Sequence, residues 1–298
     1  MGQIPRDTRM DVSNTVDVTD LVAVSRAVRG ILSARYPDED FAVLDRLFTD
    51  FGRLYAGEFP GYHACDIQYH NSQHVLDVTL AMARLLDGHA SCHADGECLE
   101  RDLVLAGIAT ALFHDAGYIR RTRDTRNKSG AAYTRVHVGR GARFLADYLP
   151  QAGLGHLSPT CTRIIHFTGY ERDPLDLDVV GDKEYLLGTL LGTADLIAQM
   201  ADIDYVRKCR EHLYEEFVIG GMAGDAGTHS VTGTIYRSPE QLLRMTPAFI
   251  RATIEERLDG QFRGVHRYAA EHFGGRHLYM DAIRENCRSL EAMLAGGA

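Results

Sequence analysis

Seven side chains of the kinds that bind metal ions or move protons punctuate this chain: His70, His74, the doublet His114-Asp115, His137, His166 and Asp195. His114 and Asp115 directly follow the apolar run GIATALF, and polar groups at the end of such a segment need partners if their burial is not to be costly. Asp195 is the one carboxylate inside LLGTLLGTADLIAQM, from Leu186 to Met200. A buried carboxylate is expensive unless it is paired or coordinated. His70 and His74 stand four residues apart, on one face of a helix if the helix includes both. If His70 instead lies in the preceding loop, His74 becomes a first-turn ligand and His70 reaches in from the side. Each group alone has a structural reading, as a hydrogen-bonded core histidine or a helix-terminal aspartate. Together His74, His114, His137, His166, Asp115 and Asp195 make a mixed nitrogen and oxygen set that suits Fe, Mn, Zn, Ni or Co better than an all-oxygen Mg site. Six ligands exceed one tetrahedral site with an open position, so two ions sharing Asp115 as a bridge are expected.

These groups must be carried by helices. Asp20 is placed to cap a helix through about residue 34, and a second is expected over about 39–56, with Phe41, Leu44, Leu47, Phe48, Phe51 and Leu54 at helical intervals. The pattern predicts a helix over 72–87, a turn-rich stretch GHASCHADGEC, and a central buried helix over 99–113. Further helices are expected near 132–149, 159–167, 182–200, 203–219, 239–258 and 277–294, with Pro150 helping to end the first of these. Residues 220–235 hold five glycines and are expected to form a long loop or lid. No alternating β pattern persists, and no internal repeat is found. The expectation is a flexible N-terminal arm over 1–17, then one all-helical domain over 18–298 with a C-terminal helical extension from about 203.

The totals exclude several classes. With 298 residues, 45% hydrophobic and 24% charged, the chain has a globular composition. A formal net charge of -9 argues against a broad nucleic-acid surface. Six cysteines are too sparse for a disulfide scaffold, no stretch reaches the length of a membrane helix, and the first twenty residues lack an apolar signal region. Met1-Gly2 is followed by Arg6 rather than the Ser or Thr of a myristoylation signal. A cytoplasmic enzyme without a membrane partner is expected.

The ordered quartet His74, His114-Asp115 and Asp195, each in a helical context, resembles the HD superfamily of metal-dependent phosphohydrolases over about residues 69–200. The segment YHNSQHVLDV, residues 69–78, is similar to the YHN-x-x-H segment of class I cyclic-nucleotide phosphodiesterases. HVGRGARFL at 137–145 and HFTGY at 166–170 resemble the later histidine regions of the HD-GYP phosphodiesterases, although Phe167 stands where that family has a second histidine. The resemblance implies an all-α, HD-domain or phosphodiesterase-like helical bundle and a metal-dependent phosphohydrolase, preferably a phosphodiesterase. It implies two divalent metal ions, with Mg also admissible at the second site, and a small phosphorylated substrate such as a cyclic nucleotide or dinucleotide. In that scheme Asp115 and His70 are the catalytic residues: Asp115 bridges the ions around an attacking hydroxide, His70 protonates the leaving oxygen, and Asn71 supports the site. Gln241 and Gln261 are only loose matches to a nucleotide-clamping glutamine.

Two other functions suit the same residues. Some HD-fold proteins with four histidines and two aspartates are di-iron oxygenases, and a catalytically inactive helical signalling module could retain the ligands as a relic. His70 in its YHN setting favours hydrolysis, which needs a leaving-group acid. Arg120, Arg121, Arg123, Arg126 and Lys128 form either an anion-steering edge or a solvated loop. Asp202, Asp204, Tyr205 and Arg207 either line the cleft or make salt bridges at a helix junction. His89, Cys92, His93 and Cys98 match no zinc finger spacing and are read as an ordinary loop. Residues 203–294 are expected to cover the active site or to form a homodimer surface.

Overall fold

The computed structural model describes residues 6–93, 98–224 and 236–296, and among them there are helices and isolated bridges but no β-strand. Twelve α-helices follow in order. The first, α1 (Leu21–Arg35), starts where the Asp20 carboxylate accepts the Val22 and Ala23 N–H groups. The second, α2 (Val43–Ala56), starts four residues later than expected and stops at Gly57, whose φ of 78° is left-handed. Then come α3 (Ser72–Cys92), α4 (Arg101–Phe113), α5 (His137–Gln151), α6 (Ser158–Ile164) and α7 (Gly181–Ala201). The C-terminal part holds α8 (Tyr205–Lys208), α9 (Tyr214–Ile219), α10 (Pro239–Ala252), α11 (Tyr268–His272) and α12 (Leu278–Gly296).

α4 and α7 form the centre because long stretches of their sequences are apolar on every side. Every residue from Val104 to Phe113 in α4 is buried, as is every one from Leu187 to Ala198 in α7. α3 packs between them and also meets α1 and α11. The main buried core is a hydrophobic cluster running from Val18 to Leu290, with a small second cluster of Ile67, Tyr118 and Ala131.

α3 continues past the turn expected at Gly88. A Cβ there would stand 1.7 Å from the Tyr268 carbonyl oxygen, so the glycine serves a close helix–helix approach and does not break the helix. Pro150 lies inside the last turn of α5. The helices expected over 203–219 and 239–258 each change to π geometry, at Cys209–Leu213 and Thr253–Gln261.

The flexible arm expected over 1–17 is corrected for residues 6–17, which are fastened to the body. Asp11 is 1% exposed; its carboxylate accepts N–H groups of Ser13, Thr15 and Val16 and meets Arg84 Nη2 at 2.6 Å. The acidic side chain is an anchor because it closes a local turn and neutralises a buried guanidinium. Of the glycine-rich stretch, residues 225–235 lie outside the described residues, as do 94–97 of the turn-rich stretch. All six cysteines are free thiols. No single helix among the described residues is long and apolar enough to cross a membrane.

Candidate metal centre

The ends of α3, α4 and α5 and the middle of α7 meet at Asp115. Asn71 caps α3 by accepting the His74 N–H at 3.2 Å, which fixes His74 in the first turn and leaves His70 in the preceding loop. His114 follows the last residue of α4, and Asp115 opens the 3-10 turn Ala116–Tyr118. Asp195 projects from the middle of α7 and His137 is the first residue of α5.

Ligand atoms of His74, His114 and Asp115 lie within 4.8 Å of one another. Asp115 Oδ2 stands 3.5 Å from His74 Nε2 and 3.2 Å from His114 Nε2. Asp195 Oδ1 completes the group at 3.3 Å from His74 Nε2 and 3.8 Å from His114 Nε2. The other oxygen of Asp115, Oδ1, faces His137 Nε2 at 3.8 Å. The carboxylate thus divides its oxygens between the quartet and a fifth residue, as a bridging ligand would.

The protonation pattern fits a cation. His114 Nδ1 donates to the Ala111 carbonyl at 2.8 Å, and His137 Nδ1 donates to the Thr134 carbonyl at 2.7 Å. A carbonyl only accepts, so in each neutral ring the proton is on Nδ1 and the Nε2 lone pair faces Asp115. His114 Nε2 and Asp115 Oδ2 are buried and neither has a hydrogen-bond partner; their 3.2 Å approach brings two acceptors together. Such orphaned atoms are costly unless a cation joins them. Without one, a proton is drawn in: against the effect of burial, Asp115 and Asp195 push His114 up to about 9. Burial likewise resists ionisation of Asp115 and Asp195, but the surrounding histidines hold both below the usual carboxylate range. The residues therefore fit a metal ion.

His166 sits on the 3-10 turn Ile165–Phe167, and its Nδ1 meets Glu171 Oε1 at 3.2 Å. Its hydrogen bond runs to Glu171 rather than to Asp115. Burial opposes the charge on Glu171, but the His166 hydrogen bond and the nearby His137 and His166 rings keep its carboxyl low. The two later histidines thus share the field of one carboxylate. The turn packs tightly on α7, since a Cβ at Gly188 would stand 2.4 Å from the Phe167 ring.

His70 has a separate support. Its Nδ1 lies 2.6 Å from Oε2 of Glu216, a buried residue of α9, while Glu216 Oε1 accepts the Tyr69 N–H at 2.6 Å. Burial disfavours the imidazolium, but Glu216 and then Asp115 outweigh it and raise His70 above its ordinary 6.5. The Tyr118 ring stacks on both His70 and His137, at 4.7 Å and 4.4 Å, and those two rings are themselves 6.2 Å apart. Burial, with Asp115 and Glu216, keeps its phenol neutral.

Glu216 and Tyr118 were not singled out by the sequence reading. Glu215-Glu216 looks like a solvated pair, yet Glu216 falls three residues after Leu213 and beside Phe217, on the apolar face, and that position was the available signal. Other residues resolve into structural roles. Gln241 Oε1 accepts the Arg237 N–H at the start of α10, and the Gln261 carbonyl accepts the Tyr185 hydroxyl. Arg207 pairs with Asp204 and Glu211, and Asp202 pairs with Lys208, as helix-junction salt bridges. His89 and His93 stack at 4.1 Å. Arg120 pairs with Asp66.

No family model matches the chain, and no curated protein matches it. Among solved structures, it is similar to the phosphodiesterase domain of the RhoPDE fusion protein from the choanoflagellate Salpingoeca rosetta, with a TM-score of 0.56 and 13% identity over 98% of this chain and 96% of that one. At this identity the likeness concerns the fold: the chain is an all-α, phosphodiesterase-like helical bundle.

Proposed function

We propose that this protein is a metal-dependent phosphohydrolase of the HD type that cleaves a phosphodiester, with His70 as the general acid. The observation that carries this reading is the His70–Glu216 pair at 2.6 Å, set beside the ligand group with His70 and His74 ring centroids 5.7 Å apart. A binding module needs metal ligands; it does not need an imidazole held beside them by a buried glutamate that favours its protonated form.

His74, His114, Asp115 and Asp195 would hold one divalent ion, and Asp115 with His137 and His166 a second. Bound there, such ions neutralise phosphoryl oxygens and lower the pKa of water toward neutrality. Asp115 orients both groups through its two oxygens. Glu216 accepts the hydrogen bond from His70 Nδ1–H, so the opposite nitrogen, Nε2, carries the transferable proton. Tyr118 holds the ring plane by stacking. A proton delivered to a leaving alkoxide from a positioned acid contributes typically ~10²–10⁴-fold.

His70→Ala should keep its metal content and lose about that factor in kcat on a native phosphodiester. The loss should be much smaller on an aryl phosphodiester whose leaving group departs without protonation. Unchanged turnover of the native ester would overturn the assignment. The division of Asp115 between two sets of histidines also suits a di-iron oxygenase. Aerobic purification with metal analysis separates the two, because stoichiometric iron with substrate-dependent oxygen uptake would replace hydrolysis by oxidative cleavage.

A further inference from the structure

Behind the metal centre, on the other side of the 116–119 turn, is a cavity of about 470 Å³. Four arginines line it: Arg121 and Arg123 from the loop after the turn, Arg140 and Arg143 from α5. His70 and the six metal-ligand candidates are absent from its walls. Tyr118 points from the same turn toward His70 and His137, while its neighbours Gly117 and Ile119 face the cavity.

Internal structure accounts for only part of this charge. Arg140 donates to the Gly117 carbonyl at 2.6 Å and to the Ile119 carbonyl at 3.1 Å, which explains its presence as a brace for the turn. Arg121 meets Asp147 at 3.2 Å across exposed surface. Arg143 bonds its own helix through the Gly139 carbonyl, and neither it nor Arg123 has a carboxylate within salt-bridge distance among the described residues. Asp124 is the carboxylate among the lining residues; its Oδ1 accepts the Arg126 and Asn127 N–H groups, and its Oδ2 is buried without a hydrogen-bond partner, so it offsets one of the four positive charges. Burial depresses Arg140 most; Asp124 is the strongest neighbour and opposes this, while Arg143 and then Arg121 add to the depression by repulsion. Four converging cations on a chain of net charge -9 are a local inversion of the protein's field, and such a concave patch concentrates anions.

The aromatic residues define the ligand further. The Arg121 guanidinium lies 5.1 Å from the Tyr62 ring centroid and that of Arg140 3.5 Å from Tyr133. A guanidinium over a ring can still donate to phosphate oxygens through the N–H groups that its own bonds leave over, although Arg140 Nε and Nη2 and Arg121 Nη2 are already engaged. The volume lies in the usual range of small-molecule sites, ~300–1,000 Å³, larger than a single phosphate ion requires.

We propose that this cavity is a second, non-catalytic binding site for a polyphosphate-bearing ligand of nucleotide size. It is independent of the reaction assigned to the metal centre, and its test involves no turnover.

Calorimetric titration of the full chain with inorganic pyrophosphate, a nucleoside triphosphate and the parent nucleoside, all in excess chelator, isolates the cavity from any phosphate binding through metal. Pyrophosphate and the triphosphate should bind and the nucleoside should not; the tighter of the two shows whether the base contributes. The double charge reversal Arg123→Glu, Arg143→Glu should weaken pyrophosphate about tenfold or more, since each lost charge-assisted contact is worth roughly that factor. It should leave metal content and melting temperature unchanged, because both side chains are exposed, while Arg123→Lys, Arg143→Lys should retain most of the affinity. Absence of pyrophosphate and triphosphate binding in chelator, binding indifferent to the charge reversal, or equal binding of the uncharged nucleoside would each overturn the proposal.

Discussion

Asp115 shows how little a doublet means without its surroundings. The same carboxylate could cap a helix, but here Oδ2 is buried with no hydrogen-bond partner and two imidazole nitrogens face it, which is tolerable only around a cation. His70 depends on Glu216 in a comparable way. Because Glu216 and Asp115 raise its pKa, the protonated acid is present below that raised value and is lost as pH rises through it. Glu216→Gln removes the charge that holds the proton. The alkaline fall in kcat should therefore begin at lower pH, with KM little changed, when turnover is followed from pH 5 to 9. An unmoved profile would reduce Glu216 to a brace for the Tyr69 backbone.

At the scale of the element, the site is made from helix ends. His74, His114 and His137 all lie within a turn of a terminus, where the backbone leaves a helix and side chains from different helices can converge; Asp195 alone comes from a helix interior. α3 has to satisfy both the site and the core, and Asp77 bears the conflict. Its Oδ1 is buried without a partner, and burial, reinforced by Asp202, pushes its carboxyl up to about 7. The unfolded chain releases that proton near 3.8, so Asp77 costs stability as pH rises from about 4 to about 7, and the cost persists above. Asp77→Asn should stabilise the protein by on the order of 1–3 kcal/mol at pH 8, and by less at pH 5, in urea titrations at the two pH values. An equal gain at both would show that ionisation is not the cause.

Across the whole molecule, the candidate ligands span residues 74 to 195, and a shared metal centre would tie α3, α4, α5, the turn after α6 and α7 together. A metal ion bound only by the folded chain stabilises it by mass action, by about 4 kcal/mol at a thousandfold excess over Kd. Chelation should lower the melting temperature by several degrees, and Mn, Fe or Zn should restore it. His114→Ala should abolish that response even if it leaves the fold intact, because it removes an inward-facing nitrogen. A melting temperature indifferent to both chelator and metal would argue against the centre. The anchored segment from Arg6 to Asp17 acts at this scale too, since Asp11 and Tyr279 both bind Arg84 and so join the two ends of the described chain through α3.

The amino-acid sequence by itself determined the helical class, because apolar residues recur at helical spacing over long runs. It also marked His114-Asp115 and Asp195 as candidates, because polar groups stand out in the apolar surroundings of α4 and α7. Gly88 misled for a physical reason: it is a local breaker whose effect here is overridden by tertiary packing, whereas α5 does end within two residues of the expected point at Pro150. What only the tertiary structure decided is the convergence. It divided Asp115 between His74 and His114 on one side and His137 on the other, put Glu216 behind His70 from 146 residues away, and stacked Tyr118 against two histidines. It likewise gathered Arg121 and Arg123 with Arg140 and Arg143. Such partnerships join distant segments, and periodicity reports which face a residue takes without reporting what it meets there.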